Sequence, residues 1–99
     1  MEAMSITEVK QKLSSGKETL RLIDIRSEEE YKKMHIPVAI NIPAPMLETA
    51  TSVFNKNELI VCVCNKGHER SQNAATFLSD KGFDNAYYLE GGTLGWFTE

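Results

Sequence analysis

Long apolar stretches, basic clusters, repeats and linkers are all missing from this chain, and cysteine is nearly so. No apolar run approaches the roughly 20 residues that a membrane-spanning helix needs. Lysine and arginine number 11 against 14 acidic residues, giving a formal net charge of -3. The basic residues are scattered, with no aromatic-rich basic stripe. That balance argues against general binding to nucleic acid or to an anionic membrane. The first four residues, Met1-Glu2-Ala3-Met4, are acidic and lack the basic region and apolar core of a secretion signal. The expected compartment is therefore the cytoplasm.

Only two cysteines occur, Cys62 and Cys64. On a strand, residues two apart share a face with Cα atoms roughly 6.5–7 Å apart. That is beyond comfortable disulfide reach, and a C-x-C pair alone supplies too few ligands for zinc. Two free thiols in a reducing compartment are expected.

What remains is ordinary globular material. Ninety-nine residues, 41% hydrophobic and 25% charged, suit one domain over 1–99 with a single core. Helix and strand signals alternate, which predicts an α/β fold with a largely parallel sheet. A helix is expected over 5–15, with Ser5 and Glu8 as a capping box and Gly16 as its stop. A strand follows over 20–25, then a short helix opened by Ser27 and Glu30. Pro37 and Pro43 bound a strand over 38–42, and Pro45 is placed to start a helix. Leu59 to Val63 is the most apolar strand and is expected at the sheet centre. A helix over 71–81 ends at Gly82, and a last strand covers 86–89. Gly91 and Gly92 suit a tight turn, and Trp96 is expected to cover an edge of the core.

The chemistry concentrates in Cys64-Asn65-Lys66-Gly67-His68-Glu69-Arg70-Ser71. Here a strand ends at a thiol, a glycine-containing loop follows, and a helix begins. Ligands in such sheets bind beyond the carboxyl ends of the strands. Gly67 allows a positive φ, so successive N–H groups can turn toward one point. With the positive end of the helix nearby, these donors favour a thiolate at Cys64. Cys62, inside the strand, reads as a small buried hydrophobe. Arg70 offers a planar fork to an oxyanion. His68 can act as acid or base near neutral pH, or can simply face water. Lys66 and Glu69 read equally as site charges or as solvated loop surface.

The chain resembles a rhodanese homology domain over nearly its whole length. The carrying segments are Asp24-Ile25-Arg26 with Glu30-Tyr31, and His35-Ile36-Pro37-Val38-Ala39-Ile40-Asn41-Ile42-Pro43. The Cys64 to Ser71 loop, Lys81-Gly82-Phe83, and Leu89-Glu90-Gly91-Gly92 with Trp96 complete the set. The resemblance implies a small five-stranded, mostly parallel sheet flanked by helices. It also implies sulfur transfer from a small donor such as thiosulfate, through a persulfide on Cys64, to cyanide or to a small or protein thiol. Backbone N–H groups from Asn65 to Arg70 would cradle the transferred sulfur, with Asp24, Arg26 and Ser71 in support. No metal or organic cofactor is implied. Asp24 and Arg26 are expected to tie loops together by hydrogen bonds, and His35 to be structural.

Two departures stand out. Many rhodanese domains read C-x-x-G-x-R-S, whereas this loop reads C-x-x-G-x-x-R-S. Cys-x5-Arg-Ser spacing is also the signature of protein tyrosine and dual-specificity phosphatases, and rhodanese-fold phosphatases and arsenate reductases use such a longer loop. Val63, however, stands where those phosphatases usually carry histidine, and neither His68 nor Glu69 identifies itself as a general acid. The second departure is Val38, where the family usually has glycine. Oxyanion chemistry and a sulfur-carrier module with little turnover are therefore the alternatives to sulfur transfer.

Overall fold

The computed structural model describes residues 2–16 and 19–98; Met1, counted above in the N-terminal tetrapeptide, lies outside them. In chain order the elements are β1 (Glu2–Met4), α1 (Ile6–Ser15), β2 (Leu20–Asp24), α2 (Glu28–Lys33), β3 (Ile40–Asn41), a 3₁₀ turn (Ala44–Met46), α3 (Leu47–Thr51), β4 (Leu59–Val63), α4 (Glu69–Asp80), β5 (Ala86–Leu89) and α5 (Gly92–Thr98). The five strands form one sheet in the order β1-β5-β4-β2-β3. Every pairing is parallel. Among the described residues, no helix is long and apolar enough to cross a membrane.

β4 occupies the centre because all five of its residues are buried, as a strand covered on both faces requires. Its alternation divides the core into two layers. Leu59, Val61 and Val63 face a cluster with Val9, Leu22 and Leu89. Ile60 and Cys62 face another with Ile23, Leu78 and Phe83. Helix α1 carries the expected Ser5 cap and a left-handed Gly16 at its end. Helix α2 has a complete Ser27–Glu30 capping box.

Four elements differ from expectation. The N-terminal segment forms an edge strand, with Glu2 to Met4 paired to Tyr87 to Leu89; a three-residue stretch carries no periodicity to read. The 38–42 strand shrinks to Ile40–Asn41. Pro37 and Val38 form a turn closed by the Ala39 N–H donating to the Ile36 carbonyl at 2.9 Å. No non-glycine residue among those described has a positive φ, so Val38 serves in that turn without the freedom of glycine. Helix α4 begins two residues early, at Glu69, and ends at Asp80. The tail carrying Trp96 is helical, and Trp96 packs half-buried against the Val9 layer.

Candidate active site at the end of β4

Cys64 is the first residue beyond β4, and α4 starts five residues later. Helix α4 lacks the usual side-chain cap: His68 occupies the N-cap position without a side-chain hydrogen bond. The sulfur of Cys64 fills that role. The backbone N–H groups of Ser71, His68 and Gly67 act on it, and Ser71 lies at the third helical position, where an N-cap oxygen would normally accept. The Ser71 hydroxyl is 3.1 Å from Sγ and 3.3 Å from the His68 carbonyl. Its single proton can therefore serve the carbonyl when Cys64 is a thiol, or the sulfur when it is a thiolate.

These donors set the charge state. Cys64 is 3% exposed, and burial pushes its thiol pKa up. The Ser71 hydroxyl and the amides of Ser71, His68 and Gly67 outweigh that effect and hold it below the ordinary value. Cys62, two residues earlier, has only desolvation and the neighbouring sulfur, which push its thiol up to about 12. Identical side chains two residues apart, one inside β4 and one just beyond it, thus acquire opposite character. Ser71→Ala is expected to move the midpoint of Cys64 alkylation by iodoacetamide to higher pH, because it removes one donor to the ionised form. A rate–pH profile on the intact protein reads this directly.

The loop's backbone is held from the opposite side by the β5–α5 connection and the first turn of α5. Thr93 N–H donates to the Cys64 carbonyl and Leu94 N–H to the Asn65 carbonyl, both at 2.9 Å. Gly67 (φ 72°) and Gly92 (φ 60°) lie where no side chain fits. A Cβ on Gly67 would stand 2.5 Å from the Leu89 carbonyl oxygen, and one on Gly92 would stand 2.5 Å from that of Cys64. Gly92 and Thr93 therefore shape the site, although the sequence marks Gly92 only as part of a turn and Thr93 not at all.

Asp24 and Arg26 anchor the other flank. Arg26 holds the Asp24 carboxylate through Nε at 2.9 Å and Nη2 at 2.7 Å. It also donates to the Met34 carbonyl and, through Nη1, to Asn65 Oδ1 at 2.9 Å. Asn41 secures the carbonyls of Asp24 and Arg26. The pair is buried, so removing one partner strands a charge. Asp24→Ala is expected to cost about 3–5 kcal/mol, measurable by denaturant unfolding.

A pocket of about 250 Å³ opens over the loop, lined by Cys64, Asn65, Lys66, His68, Glu69 and Arg70. Lys66, His68 and Glu69 are exposed at its mouth. A larger cleft of about 390 Å³ lies at the opposite end of β4, lined by Asn57, Glu58 and Asn85 and containing no cysteine or histidine. His35 stays outside the 250 Å³ pocket, stacked on Tyr31 with centroids 3.8 Å apart and hydrogen-bonded to the Tyr31 carbonyl. Among the described residues, no group of three or more His, Cys, Asp or Glu side chains is placed to hold a metal ion.

Arg70 lines the pocket, but its fork is not open to a ligand. Its fork is closed on Glu30, with Nη1 at 3.0 Å from Oε1 and Nη2 at 3.1 Å from Oε2. The Glu30 carboxyl is held down at about 2, chiefly by this hydrogen bonding, against a smaller opposing effect of burial. Asn65 Nδ2 reaches the same carboxylate at 3.4 Å. Glu30 is the site neighbour that the sequence could not assign, because its local pattern already explained it as a helix cap.

The family model described as a rhodanese-like domain matches residues 5–99. The chain belongs to the rhodanese family. It is 33% identical over 78 residues to thiosulfate sulfurtransferase GlpE of Shewanella oneidensis, covering 79% of this chain and 76% of that one. It is 34% identical over 93 residues to YrkF of Bacillus subtilis, named as a candidate sulfur carrier protein, covering 94% of this chain. The rhodanese match spans only about half (49%) of YrkF's length. Among solved structures, the human single-domain sulfurtransferase TSTD1 superposes with a TM-score of 0.89 at 26% identity, covering 100% of this chain and 97% of that one. The five-stranded parallel sheet flanked by helices is the rhodanese fold.

Proposed function

We propose that the chain is a sulfurtransferase that carries a sulfane sulfur on Cys64, operating in a reducing compartment such as the cytoplasm. The observation that carries this reading is the sulfur of Cys64 standing where a helix cap should be, held by three amides and a hydroxyl. The Cys64 thiolate attacks the outer sulfur of thiosulfate or of a persulfide. The donor's S–S bond breaks, its electron pair leaves with sulfite or with a thiolate, and Cys64–S–S⁻ remains. The negative charge moves outward to the terminal sulfur. The loop donors can follow it, because N–H groups converging on one point serve any anion there. A thiol, protein thiol or cyanide then attacks the terminal sulfur and releases Cys64 as a thiolate.

The Cys-x5-Arg-Ser spacing favours a second reading, phosphate ester hydrolysis or arsenate reduction. Against it stands the Arg70 fork, already filled by a carboxylate. Turnover assays of the intact protein separate the two. Thiocyanate is expected from thiosulfate and cyanide, with no release of aryl alcohol from aryl phosphates and no arsenite from arsenate. Phosphate or arsenate turnover without thiocyanate would overturn the sulfur-transfer reading. Stoichiometric persulfide without turnover would replace it with a carrier role.

A further inference from the structure

We infer that Glu30 selects the sulfur donor: by occupying the Arg70 fork it turns the pocket away from tetrahedral dianions and toward singly charged persulfides. This rests on the sulfur-transfer reading and names the donor class within it. Arg70 and Lys66 are the cationic side chains that line the pocket, and Glu69 is its acidic one. With Glu30 bound to Arg70 at 3.0 and 3.1 Å, the charges at the mouth balance before the Cys64 thiolate is counted. A doubly charged oxyanion entering such a pocket meets a thiolate and no free guanidinium. A persulfide brings a single charge, which the backbone amides can accept alone.

Other donors also hold Glu30 in this position. Glu30 is fixed from its own helix by the Ser27 amide and hydroxyl, and Asn65 adds a third donor. Its carboxyl at about 2 keeps it ionised throughout the range in which a protein of this kind works. Within that range a change of pH leaves the carboxylate charged, whereas an anion can compete with it for the fork.

Glu30→Gln tests this cleanly, since glutamine also completes a capping box and the change removes charge while keeping shape. Two donors are compared, thiosulfate and an alkyl persulfide whose only charge is on sulfur, with inorganic phosphate as a competing ion. In the variant, kcat/KM for thiosulfate is expected to rise about tenfold or more through KM, while that for the persulfide stays within about twofold. Half-protection of Cys64 from iodoacetamide is expected at about tenfold lower phosphate. Adding Arg70→Gln to this variant should reverse the gain in phosphate protection. Ser27→Ala, which loosens the helix cap and removes one donor to Glu30 but keeps its charge and its Arg70 partner, should reproduce only a small part of it.

Unchanged phosphate protection in Glu30→Gln overturns the inference. So does an equal gain in Ser27→Ala, or a gain that survives loss of Arg70. Should Glu30→Gln fail to fold, Glu30→Asp withdraws the carboxylate by one methylene and must shift phosphate protection in the same direction; no shift is also fatal. Phosphate protection does not depend on sulfur transfer. Absence of transfer with the phosphate effect intact defeats the function proposed above and leaves Glu30 only a control of anion entry, whereas transfer without the phosphate effect defeats only the role of Glu30.

Discussion

Cys64→Ser is expected to bring thiocyanate formation down to background, a loss of roughly 10³-fold or more, whereas Cys62→Ser retains most of it. The two thiols lie two residues apart and border the same core layer, one inside β4 and one just beyond it, so proximity alone does not explain the difference. Cys62 is fully buried in an apolar layer, and its thiol at about 12 leaves essentially no thiolate at neutral pH. Cys64 lines an open pocket, with its pKa lowered by the Ser71 hydroxyl and three amides despite burial. Serine at position 64 would keep the hydrogen bonds and lose the sulfur, which isolates the chemistry from the fold. Serine at position 62 places a hydroxyl in a dry layer, and its cost of about 1–3 kcal/mol belongs to stability. Equal loss of turnover in the two variants would contradict this division.

Gly67→Ala and Gly92→Ala are expected to destabilise the protein by about 3 kcal/mol or more each, and to remove activity as well. A left-handed φ alone costs a side-chain-bearing residue about 1–2 kcal/mol. The rest comes from contact with main-chain atoms that cannot step aside: the Leu89 carbonyl oxygen and Gly91 nitrogen at 2.5 and 2.8 Å for Gly67, and the Cys64 and Asn65 backbone at 2.5 and 2.6 Å for Gly92. At 4–8 °C per kcal/mol for a domain of this size, the melting temperature should fall by about 12 °C or more. Gly16 supplies the control. Its φ of 62° is equally left-handed, but an added Cβ there meets nothing within 4 Å among the described residues, so Gly16→Ala should cost only about 1–2 kcal/mol. Thermal unfolding of the three variants checks the contrast. Similar losses in all three would mean that the loop and the β5–α5 connection are not locked together as described.

Signals confined to a few neighbouring residues were legible in the sequence. The apolar run of β4, the Ser5 and Ser27 caps, the stop at Gly16 and the positive φ at Gly67 each follow from local composition and spacing. The strand-to-loop-to-helix placement of Cys64 follows from the same signals. Contacts between distant segments were not legible. Glu30 and Arg70 are 40 residues apart, and Asn65 meets Arg26 across 39; no periodicity links such pairs. Strand β1 was missed because three residues cannot show alternation, and its pairing with β5 is a tertiary matter. The start of α4 was placed two residues late for a chemical reason. Its cap is a cysteine sulfur rather than the Ser, Thr, Asp or Asn that normally announces a helix, so the sequence pattern shows Glu69 and Arg70 as loop.

The most direct test is the mass of Cys64 itself. Protein incubated at neutral pH with thiosulfate in large excess, enough to offset the raised KM that the Glu30 clasp imposes, then digested without reductant, should carry one added sulfur on the Cys64 peptide sulfur and none on Cys62, and dithiothreitol should remove it. An unmodified Cys64 under conditions where free thiocyanate still forms, or an added sulfur found on Cys62 instead, would contradict a thiolate held in a cradle of amides at the end of β4.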